Sequence, residues 1–337
     1  MADQLLVVNY HYIDDAENGY KYPGIYPVST ERFRAQMEVL SKTFEFIGQK
    51  DLLDLIGKEK SLSGKKCLIT FDDGLACQYK KALPILNEFK IPAIFFAVGM
   101  PYEAGKVLLA HKIQWCQAHI SPPEFFNKIA KQYEEITNQI FDFTAFKISD
   151  ALIKKQYKFG DLEVSRLKFV LNHHLDNQIC EQIIDPIFEE LSGSQKDFLN
   201  NFYLNEKQIK NLDGLNYLGI HGYSHKSFSY MGAADIKEDI GKCLRVLRRI
   251  AGNSAKLFSI SYPRGGVPAI DLPSFVLSLK NSGLKMGFTT KRGFNQNLRE
   301  PFFISRFDAN DIPGGKKPLF RLNGGNIEII DEHAKEN

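Results

Sequence analysis

Six short apolar runs, each cut off by residues that can do chemistry, constrain this chain more than any other feature. They read LLVVNYH from Leu5, CLITFDD from Cys67, AIFFAVG from Ala93, YLGIHG from Tyr217, LFSISYP from Leu257 and MGFTT from Met286. Each is brief, rich in β-branched or aromatic residues and bounded by Gly, Pro or polar residues, as strands are. Helical patterns lie between them. TERFRAQMEVLSKTF opens with Thr30 as its cap and sets Phe33, Met37 and Leu40 on one face. ADIKEDIGKCLRVLRRIAG aligns Ile236, Ile240, Leu244 and Leu247 and stops at Gly252. This alternation marks an α/β chain with a parallel sheet closed as a barrel.

Residues from about 105 to 210 break the rhythm. They are helical in pattern throughout, as in PPEFFNKIAKQYEEI and ICEQIIDPIFEEL, with no strand pattern before NYLGI. Strands of one style lie on both sides. The organisation expected is therefore a single barrel domain over residues 1–337, interrupted by a largely helical insertion.

The chain as a whole permits an enzyme. Its 337 residues are 44% hydrophobic, enough for a sizeable core. Lys plus Arg is 43 against 40 for Asp plus Glu, and a net charge of +3 gives no general pull toward nucleic acid. The five cysteines, Cys67, Cys77, Cys116, Cys180 and Cys243, are odd in number and scattered without a Cys-x-x-Cys pair, so they read as reduced thiols. MADQLLVVNYHYIDD lacks the basic start and long apolar core of a secretory leader. No stretch approaches the ~20 apolar residues of a membrane-spanning helix. A cytoplasmic protein with no nucleic-acid partner is expected.

CLITFDD ends on Asp72 and Asp73, two like charges in one small volume. Carboxylates this close repel, and one takes up a proton unless something positive sits beside them; a metal ion is the usual remedy. GIHGYSH places His221 and His225 four residues apart just after a strand, with Gly222 and Ser224 keeping the turn small. Two imidazoles at that spacing can face one point, in a helix or a compact turn. Alone, such a pair is met more often by surface or core histidines. One aspartate plus two histidines, however, makes a three-ligand site with an open position for water, as a hydrolytic metal needs, and leaves the other aspartate free as a base.

Thr70, Phe71, Asp72, Asp73 and Gly74, with His221 and His225, are the residues by which the chain resembles the polysaccharide deacetylase family. These are metal-dependent amide and ester hydrolases on a distorted (β/α) barrel. The resemblance implies Asp72 as general base and Asp73, His221 and His225 as metal ligands. The family's His-Ser/Thr-x-x-His motif is matched at both histidines, with Gly222 in place of the hydroxyl residue that supports the loop. FSISYPRGG resembles a Tyr-Pro-x-Gly variant of the third motif, which implies that the Tyr262 backbone N–H helps to hold an oxyanion. The arginine that usually pairs with the base is absent from its usual place, and Arg264 and Arg306, the latter in FFISRFDAND, are the candidates to replace it. The fourth motif is not recognisable, since the sole tryptophan, Trp115, lies in the insertion.

The fifth motif, an apolar strand ending in Leu-x-His, supplies the general acid. The C-terminal NGGNIEIIDEHAKEN is a poor match, whereas LLVVNYHYIDD is an apolar strand ending in a histidine. A circularly permuted branch that includes exopolysaccharide deacetylases places this strand first, and by that analogy His11 is the acid. The resemblance covers roughly residues 5 to 100 and 203 to 307, and not the insertion.

What the resemblance implies is removal of an N-acetyl group from an amino sugar with one divalent ion, zinc first on ligand type, cobalt, nickel or iron being accepted by the same ligands. A cytoplasmic location favours an acetylated sugar under construction: nucleotide-linked, lipid-linked or a short oligosaccharide. Phe125, Phe126, Tyr133, Phe141, Phe143 and Phe146 of the insertion read as the core of a helical subdomain, or else as a lid or a surface in peripheral contact with a membrane. The same residues serve two other readings, a deformylase or other non-peptide amide hydrolase with a different pocket, and a catalytically inactive carbohydrate-binding relative. No motif speaks to oligomeric state.

Overall fold

Each of the six apolar runs forms a strand in the computed structural model, which describes residues 3–15, 20–22, 24–57, 62–157, 161–268 and 271–331. In chain order the strands are β1 (Gln4–Tyr10), β2 (Glu45–Phe46), β3 (Lys65–Phe71), β4 (Ala93–Ala97), β5 (Leu218–Ile220), β6 (Ser259–Ser261), β7 (Met286–Phe288) and β8 (Phe307–Asp308). They form one parallel sheet in the order β7-β6-β5-β4-β3-β1-β8, with the short β2 paired to Lys66 and Cys67 of β3. The sheet curls into a barrel whose seam is carried by one segment. Phe288 of β7 makes a parallel bridge to Ile304, and three residues later Phe307 pairs with Val8 of β1. The seam segment, β2 and a terminal hairpin of β9 (Phe320–Asn323) and β10 (Asn326–Ile329) carry no strand signal strong enough to read from the sequence. The last residues of the C-terminal stretch, from 332, lie outside the described ones.

Strand side chains alternate between the two faces. Leu6, Val8 and Tyr10 of β1, Cys67, Ile69 and Phe71 of β3, and Phe95 of β4 belong to an outer layer packed under helices. Phe33, Met37 and Leu40 meet that layer from the helix Thr30–Ser41, and Ile236, Ile240, Leu244 and Leu247 from Ala233–Ala251. The first of these helices is capped by Ser29, whose side chain accepts the Arg32 N–H, rather than by Thr30; Thr30 donates instead to Asp15. Leu5, Val7, Leu68, Ile94, Phe96, Met286, Phe288 and Ile304 fill the barrel interior. Gly219 faces the same interior, and a Cβ there would lie 2.5 Å from the Phe96 ring and 2.7 Å from the Ser259 hydroxyl. The missing side chain is what lets Phe96 occupy the axis.

The chain divides into two units. One comprises Met1–Asp15, Pro27–Gly105 and Asn200–Asn337 and holds the barrel; the other comprises Ala16–Tyr26 and Lys106–Leu199. The helical region therefore ends nearer 199 than 210. The reason is local: Leu204 N–H donates to the Gly74 carbonyl, and Asn205 and Gln208 form a capping box that starts the barrel helix Glu206–Gly214. Within the second unit Phe125 and Phe141 are buried, and Phe126, Tyr133, Phe141 and Phe143 pack ring against ring at 5.1 to 6.4 Å. Among the described residues no helix is long and apolar enough to cross a membrane.

Gly219→Ala tests the packing of the barrel axis. Forcing a methyl group against Phe96 should cost about 1–3 kcal/mol, as overpacked cores do, read as a lower urea midpoint with an unchanged slope.

Candidate metal and catalytic site

Counting along the strands in twos from the apolar interior reaches a polar layer at the C-terminal ends. Leu5 and Val7 lead to Asn9, Leu68 to Thr70 and Asp72, Gly219 to His221, and Ser259 to Ser261. These side chains converge because alternation sends them to one side at one level of the barrel. The register of β1 on β3 does the rest. Tyr10 and Phe71 are the last paired residues, and Asp72 N–H donates to the Tyr10 carbonyl at 3.0 Å. His11 and Asp72 thus leave neighbouring strands at equivalent points, with His11 Nε2 at 4.0 Å from Asp72 Oδ2 and the His11 side chain 41% exposed.

Asp72 is buried and held at both oxygens. Arg306 Nη1 donates to Oδ1 and Nη2 to Oδ2, each at 2.9 Å, and Asn9 Nδ2 adds a bond to Oδ2 at 3.1 Å. The guanidinium is itself fully engaged, reaching Asn9 Oδ1, the Thr70 hydroxyl, the Ser261 hydroxyl and the Thr289 carbonyl. Burial opposes ionisation of Asp72. The charge of Arg306, then that of His221, the Arg306 hydrogen bonds and His11 outweigh it, and hold the carboxyl well below the usual carboxylate range. Of the two candidate arginines, Arg306 is therefore the partner of Asp72. Arg264 lies in the loop after β6, close enough for its charge to depress the His225 imidazole.

Asp73, His221 and His225 form a separate cluster. Asp73 Oδ1 is 3.4 Å from His221 Nε2 and 3.2 Å from His225 Nε2, and one ligand atom from each of the three lies within 4.8 Å of the others. A tetrahedral ion with bonds of about 2.0–2.1 Å spaces its ligand atoms about 3.3 Å apart. One carboxylate and two imidazoles at this spacing fit a divalent ion. The His221 ring is oriented by its other nitrogen, Nδ1, which lies 2.7 Å from the Ser261 carbonyl; a proton there leaves Nε2 as the ligating atom. Burial pulls the His221 pKa down, but Asp72, Asp73 and the Ser261 carbonyl outweigh it and raise it. At His225 burial wins, reinforced by His221 and Arg264, and its pKa falls to about 4. His225 is therefore neutral near pH 7, as a ligand must be.

The loops that present these groups are unusually bent. Asp73, His225 and Arg264 have φ of 77, 58 and 57°, each accompanied by a glycine of positive φ: Gly74, Gly222 and Gly265. Left-handed conformations at non-glycine residues cost of order 1–3 kcal/mol and persist where surrounding structure holds them. Asp239 does this for the histidine loop. Its Oδ2 accepts the Tyr223 N–H at 2.7 Å, and its Oδ1 accepts the Ser224 N–H at 2.9 Å and hydroxyl at 2.6 Å. A Cβ on Gly222 would lie 2.7 Å from Asp239 Oδ2, so glycine in place of the expected hydroxyl residue makes room for a carboxylate that supports the loop.

Tyr262 requires a correction. Alternation turns Ser261 inward and Tyr262 outward, where its ring packs on Phe275 and its hydroxyl donates to the Phe302 carbonyl. Its backbone N–H donates to the Phe288 carbonyl at 3.0 Å and is committed to the sheet, not to an oxyanion. Asn9, Ser261 and Asp239 are site residues missed in sequence, and Thr70 was read there only as part of a motif and not as a partner of Arg306. Thr70 was findable by counting two back from Asp72, and Asn9 and Ser261 by counting in twos along their own strands; Asp239, on a helix, carried no such signal.

Residues 59–142 match the sequence profile of the polysaccharide deacetylase family, a span that contains Asp72 and Asp73. The resemblance seen at Thr70–Gly74 therefore holds. The fold is shared with the deacetylase PplD of Streptococcus pyogenes, solved with acetate, at a TM-score of 0.55 and 12% identity over 91% of this chain and 93% of that one. It is shared also with a de-N-acetylase from Aggregatibacter actinomycetemcomitans (0.51, 14% identity, 91% and 96% covered) and with IcaB from Ammonifex degensii (0.50, 17% identity, 91% of each). No curated protein matches the chain in sequence.

Arg306→Met should destabilise the fold by about 3–5 kcal/mol at pH 7, because it strands a buried carboxylate. In the native protein the lowered pKa of Asp72 gives stability that is complete above the ordinary carboxylate value of about 4 and is lost only as the pH falls below it. Without the guanidinium, burial raises that pKa, and protonation relieves the variant first. Its deficit in urea titrations should therefore shrink from pH 7 to pH 5; a deficit that held or grew would contradict the pairing. Gly222→Ala, by contrast, should loosen metal binding at least tenfold by displacing Asp239, measured by competition with a chromogenic chelator.

Proposed function

We propose that this protein is a metal-dependent hydrolase that removes an N-acetyl group from an amino sugar. The observation that supports this reading best is the cluster of Asp73, His221 and His225 directly beside a second buried carboxylate whose charge is secured by its own arginine. A divalent ion held by that cluster, zinc by ligand type with cobalt, nickel or iron as other fits, would acidify water and polarise the amide carbonyl.

The chain's own groups divide the remaining work. Asp72 is ionised at any working pH and accepts a proton as general base. Arg306 and Asn9 grip both of its oxygens, so it cannot swing into the cluster and become another ligand; the two adjacent aspartates are kept in different roles. His11 protonates the departing amine nitrogen in this reading, which its partial exposure at the open end of β1, 4.0 Å from Asp72, supports. The substrate is an acetylated sugar, nucleotide-linked, lipid-linked or a short oligosaccharide, and the products are the amino sugar and acetate.

Acetate and formate released from acetylated and formylated amino sugars by the zinc-loaded protein provide the test. Acetate release supports the reading; formate alone would make the protein a deformylase, and metal binding with no turnover would make it a binding relative. His225→Ala should lose the metal and the activity together, by elemental analysis and assay. Asp72→Asn should keep a full equivalent of metal and lose on the order of 10²-fold or more in kcat.

A further inference from the structure

The side chain of Gln78 lies where the loops of His11 and Asp72 meet, and neither the paired aspartates nor the histidine cluster accounts for it. It is fully buried. Its Nε2 donates to the His11 carbonyl at 2.9 Å and to the Asp72 carbonyl at 2.6 Å, while its Oε1 accepts the Leu75 N–H at 3.2 Å. An amide facing two carbonyls and one N–H is satisfied in one orientation only. The ladder between β1 and β3 ends at Tyr10 and Phe71. The next residue on each strand is His11 or Asp72, and one amide group takes both of their carbonyls. Gln78 is the last rung of that ladder, supplied from outside the sheet.

The position of this amide has a cause in the sequence CQYKKALPIL. Pro84 has no N–H for the Lys80 carbonyl, and its ring crowds that carbonyl. The helix accordingly opens with a wide turn over Gln78–Ala82, in which the Leu83 N–H bonds the Gln78 carbonyl five residues back. The same turn carries Lys81, which pairs with Asp14 and lies 3.5 Å from Asp15, both on the loop that follows His11. Wide turns of this kind recur at functional sites. This one holds the His11 loop at His11, Asp14 and Asp15 and the Asp72 loop at Asp72 and Leu75.

We propose that Gln78 is a positioning residue that fixes His11 relative to Asp72, and so sets the geometry between the proton donor and the proton acceptor. None of its side-chain hydrogen bonds goes to a side chain of the Asp73, His221 and His225 cluster. Its catalytic consequence rests on the roles proposed above for His11 and Asp72; its structural consequence does not.

Gln78→Met keeps the volume and removes the amide. In a crystal structure of the zinc-loaded full chain, the 4.0 Å separation of His11 Nε2 and Asp72 Oδ2 should open by about 1 Å or more. Metal stoichiometry and KM should stay within about twofold, while kcat on the acetamide falls on the order of 10²-fold, as a misplaced catalytic group costs. The loss should be much smaller on an activated acetyl ester, whose leaving group needs no proton. On the amide, His11→Ala with Gln78→Met should be no slower than His11→Ala alone, since the two changes remove one function. An unchanged separation, additive losses, or equal losses on amide and ester would overturn the proposal. An opened separation in Gln78→Met together with unimpaired turnover in His11→Ala would sustain the positioning and instead remove His11 as the acid. Should Gln78→Met fail to fold, Gln78→Asn, which keeps the amide but retracts it by one methylene, takes the same measurements.

Discussion

Two neighbouring carboxylates buried at the end of one strand repel each other, and this site sets each against a different main set of partners. Asp72 receives a guanidinium from Arg306 and an amide from Asn9; Asp73 receives two imidazoles. Alternation along β3 cannot send both side chains the same way from an extended strand. The chain leaves β-geometry at Asp73, where φ turns positive, and the Asp73 carboxylate comes to face His221 and His225. The polar layer follows from this division. Ser261 is small enough for Arg306 to pass and uses its carbonyl to orient His221, while Thr70 and Thr289 take the remaining guanidinium donors.

Most of the barrel was legible because buried parallel strands are short, apolar and abruptly ended. What could not be read were pieces whose pairing is decided by distant partners. Phe307–Asp308 has two residues of strand and no periodicity, yet it joins β1. The cap of the first helix was misplaced by one residue because Ser29 and Thr30 are both good caps, and only the contact of Thr30 with Asp15 decides between them. In the site, Asp72, Asp73, His221 and His225 were visible as adjacent reactive types. Arg306 was one of two arginines until the sheet placed it at Asp72. The Tyr262 N–H was assigned to an oxyanion because a motif fixes spacing but not which backbone donors the sheet takes.

Support for the candidate site comes from residues outside the metal cluster and the Asp72 pair. Asp239 holds the histidine loop through two amides and a hydroxyl, and Gln78 joins the loops of His11 and Asp72. Both occupy positions where a backbone ladder has ended but backbone groups still need partners. Satisfying those groups with side chains fixes loops that would otherwise relax from strained conformations, and such loops can then aim their side chains to within fractions of an ångström.

The seam of the barrel adds an order in time. Arg306 stands 234 residues beyond Asp72, on the segment that bridges β7 and leads into the partner of β1. During synthesis the paired aspartates leave the ribosome long before this arginine, and until it arrives Asp72 lacks the guanidinium that holds both of its oxygens. Pairing of such sequence separation is slow to form and favours late closure. The barrel of the nascent chain thus stays open at one edge until the segment that carries Arg306 is made, and the polar layer around Asp72 is among the last parts of this fold to be completed.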